Sequence, residues 1–255
     1  MQPHAHALTQ LVEMSARLGR PENELVILGE GNSSALIDDD TFWVKASGTQ
    51  LPGCDESCFV RVRFEPVLEM LKADGMTDQQ VAEGLQEACV EPNAPRPSVE
   101  TMLHAFLLKY PGVRFVGHTH PTAVNSILCS KNWHELFAGR LFPDEIVVCG
   151  KEYVLVPYTD PGLPLAQTVE QMVKEFTKRN GVWPRVILIQ NHGLIATGTT
   201  PTMVENISHM LNKTARIILG ACAAGGPRPL TDEHVGRISS RPDEAYRRQG
   251  LDENS

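Results

Sequence analysis

The run Val186-Ile187-Leu188-Ile189-Gln190, followed by Asn191-His192-Gly193 and then Leu194-Ile195-Ala196-Thr197, constrains the fold more than any other stretch of this chain. Both apolar runs are strand-length and contain β-branched residues, and the Gly at the joint permits the backbone angles that a tight reversal needs. The stretch reads as a hairpin of two buried strands, which makes antiparallel pairing a central feature of the fold. It also puts His192 in a turn, where an imidazole is well placed to reach a metal.

A second strand carries more of the same chemistry. Val113 to Gly117 is apolar and runs into His118-Thr119-His120-Pro121. Side chains two apart on a strand share a face, so His118 and His120 project together. Two imidazoles are half of a divalent-metal site, and His192 is the candidate third donor. Three donors with one open position suit a catalytic Zn²⁺, with Mn²⁺ or Co²⁺ as substitutes. The alternative for a single histidine at a strand end is a hydrogen-bonded structural residue.

Other elements follow from periodicity and turn chemistry. Helices are expected at His6–Leu18, Pro66–Ala73, Asp78–Cys89, Pro164–Thr177 and Pro201 to about Ala224. Another runs from Ser98, read as the N-cap with Glu100 in the first turn, to about Lys109, and one starts at Pro121. Strands are expected at Glu24–Leu28, Ser34–Ile37, Thr41–Lys45, Cys58–Phe64, Ile146–Cys149 and Tyr153–Val156. Mixed strands flanked by helices, with hairpins and no strict strand–helix alternation, predict a three-layer α/β/α domain around a largely antiparallel sheet. That domain is expected over residues 1–226, with 227–255 a polar, helix-prone tail.

Composition narrows the partners. With 255 residues, 42% hydrophobic and 21% charged, the chain is an ordinary globular protein. A net charge of -8 without a dense Lys/Arg run argues against nucleic acid or an anionic membrane as partner. No segment approaches the ~20 apolar residues of a membrane span and the amino terminus has no signal-peptide pattern, so a cytoplasmic location is expected. The 6 cysteines are scattered and read as reduced thiols; Cys54 and Cys58 lack a second pair that would complete a metal site.

Glu100 and His104 lie one helical turn apart and point the same way. They form either an acid/base with its hydrogen-bond partner or a solvated helix face with a favourably placed N-terminal acid. Gly29-Glu30-Gly31-Asn32-Ser33 and Lys45-Ala46-Ser47-Gly48-Thr49 are small-residue loops that suit either an anion or a simple turn. The first does not continue into the dinucleotide-binding glycine pattern, so a nicotinamide or flavin site is not supported.

The order Gly-Asn-x-Ser, Ser-Gly, Pro-Ser-x-Glu with a His four further on, His-x-His and Asn-His-Gly, spread from Gly31 to Thr197, resembles the class II aldolase and adducin family. The resemblance implies an α/β/α fold, commonly tetrameric, with Zn²⁺ held by His118, His120 and His192. It implies Glu100 as the acid/base and Asn32, Ser47, Gly48 and Ser98 as substrate-phosphate ligands. The chain departs from fuculose phosphate aldolases, which have two serines before the glutamate where this chain has Ser98-Val99. A threonine of the first loop is replaced by Gly29 or Glu30, which weakens the phosphate inference; Lys45 is an accessory candidate. The Pro97-Ser98-Val99-Glu100-Thr101 context, the His118-Thr119-His120-Pro121 form and the Arg241-Pro242-Asp243-Glu244-Ala245 tail resemble more closely the aldolase half of bifunctional rhamnulose phosphate aldolase/dehydrogenases, and in 255 residues no dehydrogenase half is expected.

These parts predict an aldehyde-lyase that cleaves a ketose phosphate or related hydroxy-ketone through a metal-stabilised enediolate. Glu100 handles the carbon proton, and Tyr246 is a candidate for the distal hydroxyl proton. The alternatives are a metal-dependent decarboxylase of a 3-oxo sugar acid and, from another class, a non-catalytic adducin-like scaffold, against which the intact histidines and Glu100 argue. The expected partner is a small hydroxy-ketone or sugar phosphate, with a homo-oligomer, tetrameric by family analogy.

Overall fold

The structure is a computed structural model that describes residues 3–243. Seven strands form one sheet: β1 (Asn32–Leu36), β2 (Thr41–Lys45), β3 (Phe59–Arg63), β4 (Phe115–Thr119), β5 (Val154–Val156), β6 (Val186–Ile189) and β7 (Gly193–Gly198). Their order is β3-β2-β1-β4-β7-β6-β5. Every neighbouring pair is antiparallel except β5 and β6, which run parallel. The helices are α1 (Pro3–Leu18), α2 (Phe64–Lys72), α3 (Asp78–Glu87), α4 (Thr101–Leu108), α5 (Thr122–Leu128), α6 (Trp133–Ala138), α7 (Pro143–Cys149), α8 (Leu163–Asn180), α9 (Pro201–Ala223) and α10 (Asp232–Ser240).

The expected three layers are present because β-strand alternation sends successive side chains to opposite faces. In β6, Ile187 and Ile189 join the core under α2, α3, α4 and α8, whereas Val186 and Leu188 join the core under α1, α5, α7 and α9. On β4, Val116 belongs to the α4 side and Phe115 to the α1 side, so His118, two residues beyond Val116, faces α4.

Several expectations are corrected. Glu24–Leu28 is not a strand: Glu24 and Leu28 both have φ of 52°, which breaks any extended run. The segment is anchored irregularly instead, with Leu25 O accepting from His120 N at 2.8 Å and Glu24 O from Thr122 N at 3.2 Å. Ile146–Cys149 is the end of helix α7, not a strand. Pro143 in its first turn, Asp144 and Glu145 beside the positive helix terminus, and Gly150 at φ 93° after the last turn outweigh the β-branched run. Helix α6 has no counterpart among the expected elements. Glu100 is the residue before α4 rather than part of its first turn; Ser98 closes a preceding turn, accepting from Thr101 N at 3.1 Å through its carbonyl and from Glu100 N at 3.3 Å through Oγ.

At the hairpin tip the left-handed residue is Asn191, φ 55°, not Gly193. Gly193 is required for another reason. A Cβ there would lie 2.6 Å from Thr119 O and 2.7 Å from His120 Cδ2, so only glycine lets β7 approach β4 this closely. Beyond α9 the chain returns to the body: Leu230 N donates to Arg140 O at 2.7 Å, and α10 packs on α7.

Candidate metal centre

The centre forms where the start of β1, the end of β4 and the start of β7 meet. Asn32 pairs with His118 across β1 and β4, and His118 pairs with Ile195 across β4 and β7. His120 follows β4 directly, and His192 sits in the β6–β7 turn. Nε2 of His118 lies 2.9 Å from Nε2 of His120 and 3.2 Å from Nε2 of His192. The two oxygens of Glu100 complete the ring, Oε2 at 3.4 Å from His118 Nε2 and Oε1 at 3.2 Å from His192 Nε2.

These atoms fit a divalent ion. His118 Nδ1 is 2.9 Å from Leu194 O, a contact that requires Nδ1–H to donate and leaves the Nε2 lone pair free. Burial lowers the His118 pKa, and burial with the neighbouring imidazoles pushes His120 down to about 3, so both rings are neutral donors at neutral pH. Metal–ligand bonds of about 2.0–2.1 Å in a tetrahedron put neighbouring donors about 3.3 Å apart, close to the spacings observed. Three imidazoles therefore supply a metal-type donor set, with the Glu100 carboxylate beside two of them.

Behind Glu100 runs a buried polar chain. Asn32 Nδ2 donates to Glu100 Oε2 at 2.6 Å, and Asn32 Oδ1 accepts from His104 Nε2 in a short contact. With Nε2 protonated, His104 Nδ1 accepts from Ser34 Oγ at 2.7 Å. Burial pushes His104 down to about 3 and keeps it neutral, as this pattern requires. Burial alone would raise the Glu100 pKa, but its contacts with His118, His192 and Asn32 outweigh it and hold the carboxyl below its usual range. Ser34, the serine of the Gly-Asn-x-Ser motif, is a member of this chain to which the sequence assigns no role. Its signal is the two-residue spacing from Asn32, which puts both on the α4 face of β1.

The remaining site candidates are only partly gathered. Ser98 Oγ lies 3.4 Å from Asn32 Nδ2, and the Ala46–Pro97 bridge brings the Ser47-Gly48 turn alongside Ser98. Ser47 and Gly48 are exposed, but Ser47 N is already bonded to Arg96 O at 2.7 Å. The Asn32 amide, assigned to phosphate by resemblance, is engaged by Glu100 and His104 in this structure. Lys45 follows Val44, which faces the α4 side, so its stem points to the other face, and Lys45 is buried. Burial lowers its pKa, against the opposing fields of Cys58, Cys54 and, last, Glu100. Glu30 turns toward His120, with Oε1 3.8 Å from Nδ1, rather than toward Ser98. Tyr246 lies outside the described residues. Asn125, also missed, donates from Nδ2 to His192 O at 2.9 Å and holds the ligand turn.

Fold and site together define a three-layer α/β/α protein with a three-histidine centre at one end of the central strands of its sheet. A family model for the Class II Aldolase and Adducin N-terminal domain matches residues 9–219, and the chain belongs to that family. It is 31% identical over 180 residues to the "Uncharacterized oxidoreductase YuxG" of Bacillus subtilis, covering 68% of this chain and 24% of that protein. The chain thus spans about a quarter of that relative's length. It is 24% identical over 232 residues to the 3-oxo-tetronate 4-phosphate decarboxylase of Haemophilus influenzae, covering 90% of this chain and 96% of that one. The L-fuculose-1-phosphate aldolase of Thermus thermophilus superposes with a TM-score of 0.60 at 17% identity, over 88% of this chain and 98% of that one, a likeness of fold.

Proposed function

We propose that the protein is a zinc-dependent aldehyde-lyase acting on a ketose phosphate or related hydroxy-ketone. The observation that carries the reading is the convergence of the Nε2 atoms of His118, His120 and His192, with the Glu100 carboxylate 3.4 Å from His118 and 3.2 Å from His192. When bound, a divalent ion supplies Lewis-acid polarisation of adjacent keto and hydroxyl oxygens. His118, His120 and His192 hold it. Glu100 takes and returns the proton on the carbon next to the carbonyl, and the Ser34–His104–Asn32 chain fixes its carboxylate. Ser98 with the Ser47-Gly48 turn receives the anionic end of the substrate; Asn32, engaged by Glu100 and His104, and the buried Lys45 are accessory to that end. A cytoplasmic homo-oligomer, tetrameric by family analogy, belongs to the same reading. No helix among the described residues is long and apolar enough to cross a membrane.

The second reading is a decarboxylase of a 3-oxo sugar acid, favoured by the Haemophilus influenzae relative matched over 90% of the chain. Both reactions need the same electron sink and proton handling, so the products decide. Metal-loaded protein is incubated with ketose 1-phosphates, their free ketoses and 3-oxo acids, and released aldehyde and carbon dioxide are measured separately. The expected result is aldehyde, with kcat/KM higher for the phosphorylated member of each pair. Carbon dioxide alone transfers the assignment to the second reading.

A further inference from the structure

The centre has a second flank that the proposed chemistry does not use. A cavity of about 370 Å³ has His120 in its wall together with Glu24, Glu30, Thr122, Asn125 and Ser126, and touches none of Glu100, Asn32 or Ser98. It is therefore separate from the acid/base flank yet shares His120 with the three-histidine cluster.

Its wall offers acceptors. Glu30 receives Ile27 N at 3.0 Å on one oxygen and keeps the other near His120 Nδ1 at 3.8 Å; its side chain is 37% exposed. Glu24 is neutralised by a close ion pair with Arg216, which leaves Glu30 as the wall's net charge. Asn125 spends its Nδ2 on His192 O and holds its Oδ1 buried, so its amide adds no donor to the wall. Ser126 Oγ donates its proton to Thr122 O at 2.7 Å and so presents lone pairs to a ligand. No lysine or arginine lines this cavity. Hydroxyl groups, which donate, satisfy such a wall, whereas a carboxylate brings only acceptors and a repelled charge.

We propose that this cavity is the subsite for the part of the substrate that extends past the metal-chelating carbonyl, and that it selects an uncharged polyhydroxy chain over one ending in a carboxylate. The inference rests on the metal-chelate reading of the centre and adds which substrate end lies against Glu30. It favours release of a neutral hydroxyaldehyde over loss of a carboxylate from this flank.

The test measures binding without turnover. Zinc-loaded protein is titrated calorimetrically with two phosphate-bearing hydroxamates that differ only at the end remote from phosphate, one a primary alcohol and the other a carboxylate. The alcohol is expected to bind about five-fold tighter, the effect of one partly screened like charge. Glu30→Gln is expected to bring the pair within about two-fold. Ser126→Lys, an exposed change that does not depend on how Glu30 supports its loop, is expected to reverse the preference. Equal binding by the unmodified protein, a preference for the carboxylate, or an undiminished ratio in Glu30→Gln overturns the subsite while leaving the metal centre intact. Failure of both hydroxamates to bind overturns the metal-chelate reading and this inference with it. Alcohol selectivity without any aldehyde release would sustain the subsite and remove only the lyase assignment.

Discussion

Replacing Asn32 by leucine isolates the chain that fixes Glu100. The two side chains are similar in volume, so the loss is mainly of hydrogen bonds: Asn32 Nδ2 to Glu100 Oε2 at 2.6 Å and His104 Nε2 to Asn32 Oδ1. Both partners stay buried, Glu100 at 7% and His104 at 2% exposure, and solvent cannot replace the amide. A buried group left unpaired costs about 1–3 kcal/mol, and more when charged, so the variant should lose about 3–5 kcal/mol. For a chain of this size that corresponds to a melting temperature lower by roughly 10 °C. The three imidazoles make no hydrogen bond to Asn32, so metal content should remain near that of the unmodified protein, while turnover falls at least ten-fold because the carboxylate loses its fixed orientation. Thermal melts, metal analysis and steady-state rates on one preparation read all three. The same melts on His104→Leu and the double variant give a coupling energy, which should be about 1 kcal/mol or more because each single change removes the same bond. Strict additivity, or a melting temperature within 2–3 °C of the unmodified protein, would refute the account of Asn32 as the clamp on Glu100.

Three further outcomes are expected. His120→Ala leaves two imidazoles and should lose most bound metal; undiminished zinc by elemental analysis would remove His120 from the donor set. Glu100→Gln should fold and retain metal yet lose ~10²- to 10⁴-fold in turnover, and a near-normal rate would place the acid/base elsewhere. Burial holds His104 and His120 near 3 in the folded, metal-free protein, while unfolded imidazoles titrate near ~6.5. The unfolded state therefore binds more protons between these values, and stability should fall as pH drops below ~6.5, by up to ~1.4 kcal/mol per unit per imidazole. A melting temperature that is flat from pH 7 to about 4.5 would contradict the buried neutral rings.

Much of this molecule is readable where one short-range rule acts alone. Thr41–Lys45 is expected with its observed bounds because alternation and flanking turns agree there, and the two-residue spacing of His118 and His120 correctly places two imidazoles side by side. Reading fails where two local rules compete. Ile146-Val147-Val148-Cys149 has strand composition but helix start and stop signals, and the punctuation prevails. Leu25 and Val26 are as buried as strand residues yet lie in irregular chain, bonded to the segment that follows β4. The Glu100 clamp is out of reach for a different reason. Its bonds join residues 68 and 72 positions apart, and nothing local to Asn32 distinguishes an amide that holds a carboxylate from one that would hold a phosphate.

The position of the centre depends on register more than on any single residue. Strands β1, β4 and β7 are far apart in sequence, but antiparallel pairing brings the first residue of β1, the last residues of β4 and the first residue of β7 to the same end of the sheet. A one-residue slip of β4 against β7 would turn His118 from the α4 face, where Glu100 and His104 wait, to the α1 face, where Gly117 meets Leu18 and Val204. Gly117 and Gly193 guard against that slip. A larger residue at 117 would need its side chain where Leu18 and Val204 already pack, and one at 193 would drive β7 off Thr119. The same close packing that excludes the shifted register sets the distance between His192 and His118, so the geometry of the donor set is a consequence of how these three strands close on one another.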